Sequence, residues 1–117
     1  MHTRPTVEIR AGDDPRTAIV ALHDALDVHC APLVRERLRE VLDQDWGAVV
    51  IDLGDVEFMD STGLGVLIGA RRRSQDAGVK LVLARPNRAT SRLLAITGMR
   101  RHFTISRQLR GGTGTAA

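Results

Sequence analysis

Short apolar runs and amphipathic segments alternate along most of the chain. Apolar and β-branched runs without helical spacing predict strands at residues 17–22, 48–52, 80–84 and 103–105, with an earlier edge strand at residues 7–9. The runs at 48–52 and 80–84 do not alternate with polar residues, which is typical of strands covered on both faces.

Three segments between these strands have the three- and four-residue apolar spacing of helices. The first begins at Pro32 and is expected to end at Gly47. Its apolar face consists of Val34, Leu38, Val41 and Leu42. The other two are residues 61–76, followed by Gly78, and residues 88–97, between an Asn87 cap and Gly98.

Strands that alternate with helices indicate a mainly parallel sheet in an α/β domain. The predicted order is β(β)αβαβαβ, with a mainly parallel or mixed sheet of four to five strands and the helices packed on it. One domain is expected over residues 1–110, and the Gly- and Thr-rich residues 111–117 are expected to be a disordered tail. Sites in open α/β sheets form at the carboxyl ends of strands, so attention falls on the loops predicted at residues 23–30 and 53–61.

The composition is that of a globular domain. Of 117 residues, 43% are hydrophobic and 26% charged, which excludes a disordered or collagen-like chain. The single cysteine, Cys30, excludes an internal disulfide. The longest uncharged run in the middle of the chain, residues 61–70, is too short to span a bilayer, and the N-terminus has no apolar leader segment. We therefore expect a cytoplasmic protein with no membrane contact.

The net charge of +3 conceals two halves of opposite sign. Residues 1–70 carry 6 arginines and 13 acidic residues, whereas residues 71–117 carry 11 basic residues and only Asp76. The basic half includes Arg71, Arg72, Arg73, Arg100, Arg101, Arg107 and Arg110. With one Trp, two Phe and no Tyr, and no DNA-binding motif, a solvated cationic surface or an acidic protein partner is favoured over direct DNA contact.

The candidate site is the sequence Asp-Ser-Thr-Gly at residues 60–63, where the second helix begins. The first N–H groups of a helix have no partner within it, so Asp60 or Ser61 is expected to act as the cap. Farther along, Gly65 and Gly69 each cost the helix about 0.5–1 kcal/mol relative to Ala. Close packing on the sheet explains them slightly better than contact with a partner does.

A helix N-terminus also accommodates anions. A phosphate on Ser61 would add a charge of about −1.5 to −2 next to free N–H groups and the positive end of the helix dipole, although Asp60 would repel it. Phosphorylation is therefore expected to change the surface charge sharply and leave the fold intact, as a switch on a partner surface requires.

The residues around this site resemble a known family. Residues 49–67, VVIDLGDVEFMDSTGLGVL, are similar to the signature of anti-sigma factor antagonists, small proteins built on the STAS domain. The resemblance continues at residues 80–83 and 93–99, reaches back to residues 22–27, and covers about residues 5–107. The stretch Asp-Ser-Thr-Gly-Leu-Gly after an apolar strand is its most specific part.

The resemblance implies partner switching. Such proteins bind an anti-sigma factor, which is also a serine kinase of the histidine-kinase-like ATPase fold, and a sigma factor is released. The kinase phosphorylates the serine that matches Ser61, which ends the binding, and a metal-dependent serine phosphatase reverses the modification. Carried over, Ser61 is the phosphoacceptor, Asp60, Thr62 and Gly63 shape the site, and Asp27 lies on the neighbouring loop. No catalytic activity, cofactor or metal is implied for the chain itself.

Two residues before the motif are assigned different environments. Phe58 is expected to lie in the core and anchor the loop. Met59 is expected to be partly exposed and available to a partner.

The chain departs from the family pattern in two places. Relatives usually read Gly-Glu-Leu-Asp where this chain has Asp24-Ala25-Leu26-Asp27. A Gly position often needs a positive φ, which Asp tolerates better than most residues, so the turn is expected to survive. Relatives also commonly continue into a further helix, of which residues 108–117 can supply little.

Two other functions fit some of these residues. A STAS scaffold that does not switch, in a signalling or lipid-transport complex, would use Ser61 as an ordinary cap. A serine hydrolase would pair Ser61 with His23 or His29, but no Gly-x-Ser-x-Gly elbow surrounds that serine. Potential metal ligands match no closed four-ligand motif, so no metal is expected. They are His23, Asp24, Asp27, His29 and Cys30.

Overall fold

Five strands form one mixed sheet in the computed structural model, which describes residues 6–109. They are β1 (Val7–Ala11), β2 (Thr17–Leu26), β3 (Ala48–Met59), β4 (Lys80–Ala84) and β5 (Thr104–Ser106), side by side in that order. β1 runs antiparallel to β2, and the other neighbours are parallel. The predicted order of elements and the mixed sheet are confirmed. The tail expected at residues 111–117 lies outside the described residues.

Three α-helices connect the parallel strands within residues 6–109: α1 (Ala31–Leu42), α2 (Ser61–Ala77) and α3 (Arg88–Ile96). A short 3-10 turn (Arg100–His102) precedes β5. Because the parallel strands lie side by side in chain order and such crossovers are right-handed, all three helices pack on the same face of the sheet. No helix in this part of the chain is both long enough and apolar enough to cross a bilayer.

The two faces of the sheet bury different amounts of apolar surface. The face under the helices holds the main core, which includes Val20, Ile51, Leu83, Leu38, Leu67 and Leu94. The opposite face holds a smaller cluster of Ile19, Val50, Val82 and Ala84, with Leu109 packed against it. Alternate residues of a strand point to opposite faces, so the continuous apolar runs of β3 and β4 supply both clusters. The prediction that these two strands are buried on both faces is confirmed.

Two strands are longer than the sequence pattern predicts. β2 continues through residues 23–26 and β3 through residues 53–59, so the loops predicted there are wrong in these parts. The extensions pair with each other, from His23 opposite Asp55 to Leu26 opposite Met59. Two register shifts interrupt this ladder and break the alternation that marks a strand in the sequence.

The ends of α2 and α3 follow the sequence predictions closely. Gly78 and Gly98 adopt positive φ values of 72° and 74° just beyond these helices. The Asn87 side chain caps α3 by accepting a hydrogen bond from the Thr90 N–H at 2.8 Å. The last strand is displaced by one residue, since β5 covers Thr104–Ser106 instead of residues 103–105.

The end of α1 differs from its prediction. The helix ends at Leu42 with Asp43 as its C-cap, so the prediction that Gly47 ends it is wrong. Gly47 has no positive φ, and its N–H donates to the Arg16 carbonyl oxygen at 2.8 Å. It therefore belongs to the approach to β3.

Candidate functional site

The first turn of α2 follows β3 directly at the carboxyl edge of the sheet. Asp60 is its cap, because Asp60 Oδ1 accepts a hydrogen bond from the Gly63 N–H at 3.0 Å. Ser61 is exposed, and its hydroxyl makes no hydrogen bond within residues 6–109. Of the two candidate caps the structure selects Asp60, which leaves the Ser61 hydroxyl available.

The backbone of this turn presents free donors. The Leu64 N–H donates to the Asp60 carbonyl oxygen at 3.0 Å, and the Gly63 N–H is satisfied by the cap. Among the described residues, the N–H groups of Ser61 and the half-buried Thr62 have no acceptor. These are the unpaired donors expected at a helix start, and they favour a nearby anion.

Gly63 allows the start of α2 to pack against the end of β2. It is buried, and a Cβ atom at this position would overlap the Leu26 carbonyl oxygen and lie 2.9 Å from Leu26 Cγ. A larger residue would push α2 away from β2. Gly63 therefore fixes the position of the Ser61 turn relative to the connection that follows β2.

Two aspartates support the end of β2 and the connection after it. Asp24 lies in β2 at a register shift and has a φ of 69°, so the expectation that Asp takes the positive φ of a Gly position is confirmed, although the segment is strand and not a turn. Asp27 Oδ1 accepts hydrogen bonds from the N–H groups of His29 at 3.0 Å and Cys30 at 3.3 Å. Desolvation opposes its charge, but the hydrogen bonds from Cys30 and His29 outweigh it and hold the pKa of Asp27 below its ordinary 3.8. Burial, in contrast, raises the pKa of the Cys30 thiol.

The last two residues of β3, Phe58 and Met59, have the reverse of the burial that the sequence predicted. Met59 is only 9% exposed and joins the core opposite Leu26, so the expectation of partial exposure is wrong. Phe58 is 55% exposed, so its assignment to the core is wrong. Because adjacent strand residues point to opposite faces, burial of Met59 turns Phe58 outward.

Phe58 is one of four exposed large apolar side chains within residues 6–109, and the one farthest from the carboxyl edge is Ile96 at the end of α3. Val28, in the connection from β2 to α1, is 59% exposed, and Leu33, in the first turn of α1, is 49% exposed. The sequence analysis missed both. Leu33 could have been found, because it lies off the apolar face that Val34 and Leu38 define.

His23 is buried in the sheet between two carboxylates. Its Nε2 lies 2.6 Å from Glu8 Oε1 on β1, and its Nδ1 lies 3.1 Å from Asp55 Oδ2 on β3. Both ring nitrogens are therefore used to join three strands, and neither contacts Ser61. Across residues 6–109, no group of three His, Cys, Asp and Glu side chains could hold a metal ion.

A second polar connection ties β3 to the residue after β4. Arg85 donates from Nε and Nη2 to the two carboxylate oxygens of Asp52, at 3.0 and 2.8 Å. Asp52 is buried, and its hydrogen bonds raise the pKa of Arg85. Arg85 has a φ of 56°, an uncommon conformation for a residue with a Cβ atom. Nothing in the sequence pattern indicated this pair.

The outward side of α2 is bare near its start and cationic farther along. Gly65 and Gly69 are exposed, and no atom lies within 4 Å of a Cβ placed at either position. The interpretation that these glycines pack on the sheet is therefore wrong. Arg72 is exposed on the later part of the helix, and Arg73 pairs with Asp43 after α1 at 3.2 Å.

Known proteins match the chain along most of its length. The family model of the STAS domain matches residues 6–111. An anti-sigma-B factor antagonist of Bacillus subtilis (strain 168) is 40% identical over 88 residues, which are 74% of this chain and 79% of that protein. An anti-sigma-B factor antagonist of Listeria monocytogenes is 38% identical over 95 residues, 80% of this chain and 82% of that protein.

Solved structures share the fold. A crystal structure from Thermotoga maritima superposes with a TM-score of 0.80 at 23% identity, covering 88% of this chain and 87% of that one. The Bacillus protein SpoIIAA superposes in its unphosphorylated form with a TM-score of 0.72 and in its phosphorylated form with 0.67, both at 17% identity. These superpositions cover 87% of this chain and 89% and 92% of the SpoIIAA chains. On the family match and these relatives together, the chain belongs to the STAS-domain family of anti-sigma factor antagonists.

Proposed function

We propose that the chain binds an anti-sigma factor and that phosphorylation of Ser61 ends this binding. The observation that carries the proposal is the state of Ser61, which is exposed in the first turn of α2 with its hydroxyl unused by the fold. A kinase can reach this hydroxyl without opening the helix, because Asp60 is the cap. The names of the B. subtilis and L. monocytogenes relatives support an anti-sigma factor as the partner.

A phosphate on Ser61 has a favourable position and a strong effect. The free N–H groups of Ser61 and Thr62 and the positive end of the helix dipole stabilise an anion there. The group adds a charge of about −1.5 to −2 at an edge that already carries Asp27 and Asp60. A partner that packs on the exposed Phe58 at this edge would have to desolvate the phosphate, so its affinity falls.

The partner that reads this site is, in this proposal, also the kinase. The anti-sigma factor has the ATPase fold and phosphorylates Ser61, and a serine phosphatase restores the hydroxyl. The chain itself acts by binding in the cytoplasm and needs no DNA contact. SpoIIAA, which shares the fold, has been solved in both phosphorylation states, so this fold accommodates a phosphorylated form.

The two alternatives receive less support. A scaffold that does not switch needs Ser61 only as a helix cap, and Asp60 fills that position. A hydrolase needs a histidine beside Ser61, and His23 is held instead by Glu8 and Asp55.

The test measures binding and labelling by a purified ATPase-type anti-sigma factor from the same genome. Wild type and Ser61→Ala are expected to bind alike, and only wild type is expected to accept phosphate from ATP. Ser61→Asp, which carries part of the charge of a phosphoserine, is expected to bind about tenfold more weakly.

The matched control is Gln75→Glu, which adds one negative charge to an exposed position about 21 Å along the same helix. It is expected to bind as wild type does. Phosphate on Ser61→Ala would show that another residue is the acceptor. Equal binding by all variants would favour the scaffold that does not switch.

A further inference from the structure

β1 forms one edge of the sheet and leaves that edge open. Among the described strands it pairs only with β2. Its five residues match β2 residue for residue without a register shift, so the edge is straight. The strand at the opposite edge, β5, has only three residues. Because long straight edges are the ones that can add another strand, β1 is the better template of the two.

Every second residue of β1 points its backbone groups out of the sheet. The hydrogen bonds that flank the strand show which residues these are. At one end the His23 N–H donates to the Thr6 carbonyl oxygen at 3.0 Å, and at the other the Gly12 N–H donates at 2.8 Å to β2. Because bonded and non-bonded pairs alternate in an antiparallel ladder, the even-numbered residues bond to β2. The outward N–H and C=O groups, which have no partner within residues 6–109, belong to Val7, Ile9 and Ala11.

The side chains of β1 carry opposite charges on one face of the sheet. Val7 and Ile9 pack in the core under the helices, so Glu8 and Arg10 lie on the other face. Glu8 contacts His23 through one carboxylate oxygen and is still 54% exposed. Arg10 is exposed and makes no ion pair with the described residues. The strand therefore alternates apolar, acidic, apolar, basic and apolar side chains.

We propose that two copies of the chain pair through β1, antiparallel, and form one continuous sheet. Two identical antiparallel strands are related by a two-fold axis, and in this pair the axis passes beside Ile9. Ile9 then lies opposite Ile9 of the second copy, and Val7 lies opposite Ala11 of the second copy. The outward N–H groups of each copy donate to the outward C=O groups of the other.

Charge selects this register over its two neighbours. With the axis at Ile9, Glu8 of each copy lies directly opposite Arg10 of the other, at a non-hydrogen-bonded position where side chains are closest. An axis at Glu8 would place two glutamates opposite each other, and an axis at Arg10 would place two arginines opposite each other. Like charges at directly opposite positions are destabilising. Charges normally protect an edge strand from pairing, but here their spacing makes the strand complementary to itself.

The apolar side chains of β1 fit the same pairing. The two-fold axis is perpendicular to the sheet, so the helices of both copies lie on the same side. Ile9, which is half-buried in the single chain, is then covered by Ile9 of the second copy. The interface is short, so a reversible dimer with a dissociation constant of about 10–100 μM is expected.

The pairing leaves the candidate site accessible. Ser61 begins α2 after β3, and β2 separates β3 from β1. A dimer would therefore present two Ser61 turns, one on each copy. The inference goes beyond the proposed function and does not depend on it.

The first experiment measures the association of the full chain. Sedimentation equilibrium is carried out from about 5 μM to about 1 mM, and amide spectra of labelled protein are recorded over the same range. A reversible dimer is expected, with concentration-dependent shifts in β1 and slower amide exchange at Val7, Ile9 and Ala11. A protein that stays monomeric throughout would overturn the proposal, and so would a dimer whose shifts lie outside β1.

Two variants weaken the pairing in different ways. Arg10→Glu places two glutamates opposite each other, and Ala11→Pro removes an outward N–H that the ladder with β2 does not use. Each is expected to weaken the dimer by about tenfold or more while thermal unfolding stays cooperative. The matched control is Arg107→Glu, which makes the same charge change on an exposed residue after β5 and is expected to dimerise as wild type does. Unchanged dimerisation of the two β1 variants would show that β1 is not the interface.

Crosslinking tests the register. In a Cys30→Ser background, Ile9→Cys is expected to form a disulfide between copies under mild oxidation, because directly opposite Cα atoms lie about 5.5 Å apart. Ala11→Cys keeps both charges but places the two thiols four residues apart along the strands, about 14 Å, and is expected not to crosslink. Crosslinking of Ala11→Cys that equals or exceeds that of Ile9→Cys would overturn the pairing about Ile9.

Discussion

At the scale of the residue, the glycines of α2 differ in what the fold requires of them. Gly63 faces the Leu26 carbonyl oxygen, and a methyl group there must displace the helix from β2. Gly63→Ala is therefore expected to lower the free energy of unfolding by about 2 kcal/mol. Gly65 lies two residues farther along the same helix, where a Cβ atom would meet nothing within 4 Å. Gly65→Ala is therefore expected to raise the free energy of unfolding by about 0.5–1 kcal/mol. Urea unfolding followed by circular dichroism measures both, and an unchanged stability of Gly63→Ala would contradict the tight packing.

Asp27 gives a prediction for the dependence of stability on pH. Its pKa in the folded chain lies below the ordinary 3.8, so its contribution to stability is present above that value and is lost as the pH falls through the folded pKa. Asp27→Asn keeps an acceptor for His29 and Cys30 but removes the charge. The stability of wild type relative to Asp27→Asn is therefore expected to decrease on acidification below pH 3.8. The single tryptophan reports unfolding in each buffer, and a difference that stays constant between pH 6 and pH 3 would contradict the role of the ionised carboxylate.

At the scale of the element, the carboxyl edge of the sheet depends on side chains that join neighbouring strands. Arg85 covers the buried Asp52 with two hydrogen bonds. Arg85→Leu would leave that carboxylate with one hydrogen bond, which Asp52 Oδ1 accepts from the Gly54 N–H at 2.9 Å. The expected loss in the free energy of unfolding is about 2 kcal/mol, less than for a fully buried pair because Arg85 is 44% exposed.

The control for this prediction is Arg92→Leu on α3, which removes an exposed arginine without a partner in the described chain and is expected to change stability little. Thermal unfolding compares the two. An equal effect of both substitutions would show that the Asp52 pair contributes nothing specific.

The elements themselves could be predicted to different extents. Where the apolar pattern is regular, as in α2 and β4, the sequence indicated both the element and its ends. Gly78 marks the end of α2, and Lys80 marks the beginning of β4. The extensions of β2 and β3 were missed because their register shifts break the alternation and because polar residues such as His23 are buried by partners on other strands. Such partners are distant in sequence, so local pattern carries no sign of them. The same limitation explains why the burial of Phe58 and Met59 was predicted wrongly, because their orientation depends on a pairing with β2 that the pattern did not show.

At the scale of the whole molecule, the candidate site could be located because it is local in sequence. Asp60 to Gly63 are adjacent, and a strand followed by a helix start is visible in the pattern. The approach of Arg35 on α1 to Arg73 on α2 was not visible, since the two residues come together only when the helices pack side by side on the sheet. This approach brings together basic residues from both halves of the chain, although the first half is acidic overall.

The last prediction concerns how the whole molecule responds to phosphorylation of Ser61. The hydroxyl is not part of any contact that holds the described fold, and the Asp60 cap and the buried Gly63 anchor the turn independently of it. The phosphate should therefore alter the electrostatic surface and leave the packing of α2 on the sheet unchanged. Amide shifts between the phosphorylated and unphosphorylated protein are expected only in the first turn of α2 and the connection from β2 to α1.

The melting temperature provides the complementary measurement. Surface charge at a helix N-terminus changes stability by about 1 kcal/mol or less, so the melting temperature is expected to shift by about 4 °C or less. Protein treated with a phosphatase after phosphorylation is the control and should return to the starting spectrum. Shifts that spread through β4 and the far end of α2 would mean that the modification acts by rearranging the domain. Confinement of the shifts would mean that a partner distinguishes the two states by the charge it meets at this edge.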